Sequence, residues 1–165
     1  MKASALSLAA LALAAFVFAS CGGADGNVGG GSERPSVPGG ADPGDVKVIE
    51  AWVGALDRGD IGAAASYFAL PSVAENGPLL LHITTRAEAK AFNATLPCGA
   101  RVIRASSAGR FTTATFRLSE RPGPGSCGPG RGGRARTAFV IRADKIVQWR
   151  RVGAGGAPRA PSPTV

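Results

Sequence analysis

Two hydrophobic periods divide this chain, and their order limits the folds open to it. In the first half Ile49, Trp52, Val53 and Leu56 fall at i, i+3, i+4 and i+7 and define one buried helical face. In the second half the pattern alternates. Residues 101–106, 110–118, 135–143 and 145–152 are rich in Val, Ile, Thr and Phe and are separated by turn signals. Ala114, Phe116 and Leu118 share one face of their strand, as do Thr137, Phe139 and Ile141 of theirs. Helices followed by a meander of strands imply an α+β domain, with helices packed on one face of a curved antiparallel sheet.

Local chemistry sets the helix limits. Asp42 is placed to cap the first helix, Pro43 suits its first position and Asp45 its positive end, while Gly59 stops it. Asp60 caps a second, shorter helix with Ile61, Ala64, Ala65 and Phe68 turned inward, and Pro71 follows its end. Residues 78–83 read as a short strand. Thr85 and Glu88 then form a capping box that opens a third helix, whose apolar contacts come from Ala91 and Phe92. Between the alternating strands, residues 119–136 are too rich in Gly and Pro for regular structure. A loop of that length in a compact domain is usually functional or mobile.

The N-terminus carries an address. Residues 1–20 hold one Lys and then a run of Ala, Leu, Phe and Val, which is the layout of a bacterial secretion signal. Phe18-Ala19-Ser20-Cys21 resembles a lipobox, in which a diacylglycerol is attached to the Cys21 thiol and the chain is cut before it. An uncleaved anchor helix is the other reading, since a membrane span needs about 20 apolar residues. Residues 21–41 are Gly-, Pro- and Ser-rich and read as a flexible tether, residues 42–152 as the folded domain, and residues 153–165 as a disordered tail. These features place the chain at the cell membrane, on its extracytoplasmic side.

Lipidation of Cys21 leaves Cys98 and Cys127, which outside the cytoplasm are expected to pair as a disulfide. Two thiols and the lone His82 do not make a metal site, and no cofactor motif is present. Nineteen Lys and Arg against 11 Asp and Glu give a formal net charge of +8, mostly from Arg in the second half. That balance suits an anionic partner or simply a soluble surface. An exported chain with no aromatic-interleaved basic motif is not expected to bind nucleic acid.

The residues from Trp52 to Asp60, Trp-Val-Gly-Ala-Leu-Asp-Arg-Gly-Asp, followed by Ala65 and Tyr67-Phe68-Ala69, resemble the opening of the NTF2-like superfamily. Residues 138–152 resemble its closing hairpin, with Ala143-Asp144 in place of the usual Asp-Gly turn. The resemblance implies a cone of three helices on a curved sheet with a pocket between them. Its members include ketosteroid isomerases, dehydratases, polyketide cyclases and non-catalytic binding domains, so the fold alone does not choose an activity.

The isomerase-type members need a carboxylate base and donors that stabilise an enolate. The resemblance puts Trp52 where they carry a Tyr donor, Glu75 near the base, and no acid on the strand from Ala135 to Arg142. His82 is a second candidate general base. The expectation is therefore a membrane-anchored, non-catalytic module that binds a small apolar or amphipathic ligand or another envelope protein. Its pocket would be lined by Trp52, Tyr67, Phe92, Phe116, Phe139 and Trp149, with Glu75 or His82 as polar anchors. A SnoaL-like or isomerase-like enzyme using Glu75 or His82 is the alternative. A homodimer through the open sheet face is a third possibility.

Overall fold

The computed structural model describes residues 40–153. The secretion signal, Cys21, nearly all of the proposed tether and the tail beyond Gly153 lie outside them. The elements run α1 (Pro43–Asp57), α2 (Ile61–Ser66), β1 (Phe68–Asn76), β2 (Leu79–Ile83), α3 (Arg86–Ala94), β3 (Gly99–Ala108), β4 (Phe111–Ser119), β5 (Arg134–Arg142) and β6 (Lys145–Val152). A single 3₁₀ turn, Gly128–Gly130, interrupts the loop between β4 and β5. Among the described residues, no helix is long and apolar enough to cross a membrane.

The caps fall where local chemistry puts them. The Asp42 carboxylate accepts from the backbone N–H groups of Gly44 and Asp45, and Asp60 does the same for Ala63. The Thr85–Glu88 capping box is complete. Hydrogen bonds from the Thr84 backbone N–H and hydroxyl, and from the Thr85 N–H, hold the exposed Glu88 carboxyl below the usual carboxylate range. Gly59 follows α1 at φ +74, and a Cβ there would also press on the Pro122 carbonyl at 3.1 Å. The α3 contacts differ from expectation: Ala89, Phe92 and Asn93 are buried, whereas Ala91 is exposed.

The six strands form one sheet in the order β2-β1-β6-β5-β4-β3. Four strands, β3 to β6, follow the expected meander, β2 pairs with β1 at the far edge, and the sheet is mixed because β1 runs parallel to β6. The added strand is β1. It takes Phe68 out of the second helix, which ends at Ser66 with Tyr67 as its C-cap. Pro71 fits inside β1 because the β1–β6 register shifts between Phe68 and Val73, and β1–β2 pairing begins at Ser72. Neither ladder asks Pro71 for an N–H. The hairpin between β5 and β6 turns through Ala143 and Asp144, both at positive φ. Asp-Gly is the usual choice at that turn because Gly relieves this strain.

The helices cover one face of the sheet. On that inner face sit Phe68 and Ala74 of β1, Ile83 of β2, Ala114 and Phe116 of β4, Phe139 of β5, and Ile146 and Trp149 of β6. Ile49, Trp52, Val53 and Leu56 of α1 and Phe92 of α3 close over them, all buried.

Candidate functional site

The space between helices and sheet is where the aromatic residues meet, and they meet each other. Trp52 stands edge-on to Phe68, Phe116 and Phe139, with ring centroids 6.4, 6.4 and 5.5 Å away. Phe92 packs edge-on against Phe68 at 5.6 Å and Trp149 at 5.1 Å, and Phe116 meets Phe139 at 6.3 Å. Such T-shaped contacts place ring edges on π faces and add about 0.5–1.5 kcal/mol each to the burial itself. Trp52, Phe92, Phe116, Phe139 and Trp149, expected as pocket lining, are all 5% exposed or less. They make up the packed core. Tyr67 lies half-buried at its edge, and its carbonyl accepts from Ile146 N–H at 2.7 Å.

The interior polar groups are few. The Trp52 indole N–H donates to Asn93 Oδ1 at 2.9 Å, and the Asn93 amide donates to the Ala89 carbonyl at 2.7 Å. The Trp149 indole N–H and the Ser72 hydroxyl are buried without a partner among the described residues. The buried polar side chains are Ser72, Asn93, Thr112, Arg121 and Thr137. Among the described residues, no Asp, Glu or His is buried.

Both candidate bases lie on the other side of the sheet. Successive side chains on a strand point to opposite faces, so the buried Ala74 turns its neighbour Glu75 outward. Glu75 is the cross-strand neighbour of Arg150, and the Arg150 Nε donates to Glu75 Oε2 at 2.6 Å. The same parity sends His82 outward beside Val73, because Ile83, next along the strand, is buried. His82 is exposed. The acid nearest the last hairpin, Asp144, is in the turn. The structure therefore does not bring Glu75 or His82 to the aromatic cluster as polar anchors. Among the described residues no group of three or more His, Cys, Asp or Glu side chains could hold a metal ion.

Cys98 and Cys127 are joined by a disulfide, with Cα atoms 4.5 Å apart. The long loop after β4 is more ordered than its composition implies. Arg121, which looks like one more surface arginine in the sequence, is buried there. Its Nε and Nη2 donate to the Leu96 carbonyl at 2.8 and 2.6 Å, and its Nη1 to the Pro122 carbonyl at 3.2 Å. Glu120 Oε1 accepts from Cys127 N–H at 3.1 Å. Gly99 is required at the foot of this loop, where a Cβ would lie 2.3 Å from an Asp57 carboxylate oxygen.

No family model matches the sequence, and no curated protein matches it either. The likeness to known proteins is structural. A cystatin-fold protein from Novosphingobium aromaticivorans superposes with a TM-score of 0.50 at 10% identity, over 66% of this chain and 97% of that one. A de novo designed protein with a curved β-sheet gives a TM-score of 0.52 at 16% identity, over 67% and 85%. An NTF2-like protein of unknown function from Cytophaga hutchinsonii gives 0.48 at 10% identity, over 64% and 85%. At such identities the likeness shows fold alone. With its helices laid on one face of a curved mixed sheet, the chain shares the α+β fold of the first two of these structures.

Proposed function

We propose that this chain is a non-catalytic interaction module, held at the extracytoplasmic face of a cell membrane by a lipid on Cys21. The observation that carries the non-catalytic part is the Glu75–Arg150 ion pair on the outer face of the sheet. A general base must reach the proton that it removes. The carboxylate nearest the expected place is turned away from the aromatic interior and already engaged by a guanidinium. The interior offers hydrogen-bond donors but no buried Asp, Glu or His among the described residues.

A β,γ-unsaturated ketone tests this reading, because its isomerisation to the conjugated enone is followed by ultraviolet absorbance. The expected rate is that of buffer, for the unaltered chain and for Glu75→Gln and His82→Ala alike. Turnover that either substitution lowers by about tenfold or more, the usual scale of a lost general base, would make the domain an enzyme.

The anchor rests on the lipobox-like Phe18–Cys21 segment and on the Cys98–Cys127 disulfide, since such bonds persist in oxidising compartments. The full chain produced in a bacterium is expected in the detergent phase of a cloud-point separation, and Cys21→Ser in the aqueous phase. Aqueous partition of the unaltered chain would remove the lipid from the proposal. A homodimer through the sheet face is a weaker proposal than it is from sequence. Two copies paired there would bring arginine-rich surfaces together, and like charges so juxtaposed repel.

A further inference from the structure

The outer face of the sheet has a charge pattern that folding alone does not favour. Arg104 of β3, Thr115 of β4, Arg136 of β5 and Val152 of β6 are successive cross-strand neighbours. One row along, Arg101, Arg117 and Arg134 are neighbours in the same way. Side chains directly opposite on one face have Cβ atoms about 4.5–5.5 Å apart, and like charges so placed, as in the row of Arg101, Arg117 and Arg134, destabilise a sheet. Screening at physiological salt acts over about 8 Å and relieves this only in part. Neither row contains an acid. The carboxylate on this face, Glu75, is committed to Arg150.

Against these rows lies a groove of about 750 Å³, lined by Arg104, Arg134 and Arg136, with Thr115, Ile103 and the strand end at Arg151 among its walls and no acidic residue. Its volume falls in the range of small-molecule sites, roughly 300–1,000 Å³. Ile103 is the extra residue at the β3 register shift between Val102 and Arg104 and is 41% exposed, an apolar shelf beside the charges. Arg117 is held by the Gly132 carbonyl at 2.9 Å. The side chains of Arg104, Arg134 and Arg136 have no hydrogen-bond or ion-pair partner among the described residues.

We propose that this groove binds a phosphate ester, with the guanidinium groups on the phosphate oxygens and Ile103 against the organic part. Planar guanidinium forks match phosphate oxygens two at a time, and such charge-assisted pairs are roughly twice as strong as neutral hydrogen bonds. The Thr115 hydroxyl adds a donor at the centre of the row. A phosphate converts the mutual repulsion of the row into shared attraction. The same headgroup chemistry occurs in a soluble organophosphate and in an anionic phospholipid, and the experiment separates the two sources.

This inference rests on the reading of the domain as a binding module. The protein is the full chain with Cys21→Ser, so that no attached lipid contributes. Glycerol 3-phosphate is titrated by calorimetry. Vesicles of phosphatidylglycerol, with phosphatidylcholine as the neutral control, are tested by cosedimentation. Binding of glycerol 3-phosphate assigns a soluble ligand, and binding of phosphatidylglycerol vesicles alone assigns the lipid. In either arm Arg134→Ala/Arg136→Ala is expected to weaken binding about tenfold or more, on the scale of two lost charge-assisted contacts. Lys47→Ala/Arg58→Ala removes equal charge from exposed positions of α1 and its cap, and is expected to weaken binding less than about twofold, because screened charges act over short range. No binding in either arm, or equal loss in both variants, overturns the inference. Failure of the binding-module reading appears instead as turnover of the unsaturated ketone, which neither arm measures.

Discussion

Trp52→Ala is expected to lower the stability of the domain by about 3–5 kcal/mol, the range for truncating a large buried aromatic. The residue touches three rings from three different strands, Phe68, Phe116 and Phe139, and is 3% exposed. Its removal opens a cavity in the centre of the cone and also strips the donor from Asn93 Oδ1, a buried acceptor. Trp52→Phe separates the two effects. It keeps most of the ring packing and loses the N–H, so a cost of about 1–3 kcal/mol is expected from the unsatisfied Asn93 carbonyl alone. Urea unfolding followed by tryptophan fluorescence from Trp149 measures both. A loss below about 1 kcal/mol for Trp52→Ala would mean that the interior is loosely filled. The aromatic cluster would then be a ligand cavity and not a core, and the expectation of an interior binding pocket would return.

The contrast between what the sequence announces and what it conceals follows from the range of each interaction. Asp42, Asp60 and the Thr85–Glu88 pair mark helix starts because a cap satisfies backbone donors two or three residues away. The strands from Gly99 to Val152 show themselves because each pairs with its successor across a short turn, except where the disulfide loop intervenes. Strand β1 is hidden because its parallel partner β6 lies more than 70 residues away, and because Pro71 within it reads as a boundary. Its proline is tolerated only through a register shift that sequence does not display. The outward turn of Glu75 was illegible for the same reason. A one-residue change in register exchanges the two faces of a strand, so without β1 no face could be assigned. The arginine rows were half legible. Alternation on β4 already opposes Thr113, Thr115 and Arg117 to Ala114 and Phe116, but the meeting of Arg117 with Arg101 and Arg134 depends on cross-strand register.

The two faces of the sheet divide the chemistry of the chain between them. The inner face meets helices and carries rings that pair with rings. Among the described residues the outer face meets no helix, and it carries arginines that meet one another along a cross-strand row. A scaffold under selection for stability alone has cheaper choices at Arg134, such as Thr or Glu opposite Arg117. Local rules broken without structural compensation are where a binding role is most economically sought. Under the proposed reading, binding falls on the exposed side of the sheet, away from the space between helices and sheet that the family resemblance suggested.

Removing the disulfide with Cys98→Ser/Cys127→Ser is expected to cost about 3–4 kcal/mol, the loop-closure value for a bridge spanning some 30 residues. The sequence separation is 29, and the segment that it closes contains β3, β4 and the first part of the Gly- and Pro-rich stretch before β5. The bridge acts together with two other ties. Arg121 binds the loop to the carbonyl of Leu96, beyond the end of α3, and Glu120 binds the amide of Cys127 itself. Those ties remain when the sulfurs are lost, so native-state hydrogen exchange should rise first in residues 123–133 and only later in β4 and β5. Adding Arg121→Ala to the serine pair removes the second tie and leaves the Leu96 carbonyl without this donor. Because the two ties share one loop, their combined cost is expected to differ from the sum of the separate ones by about 0.5 kcal/mol or more. Denaturant midpoints for the three variants give that coupling. A serine pair as stable as the unaltered chain to within about 1 kcal/mol would show that the loop is held by Arg121 and Glu120 alone, and that the bridge contributes little to the fold.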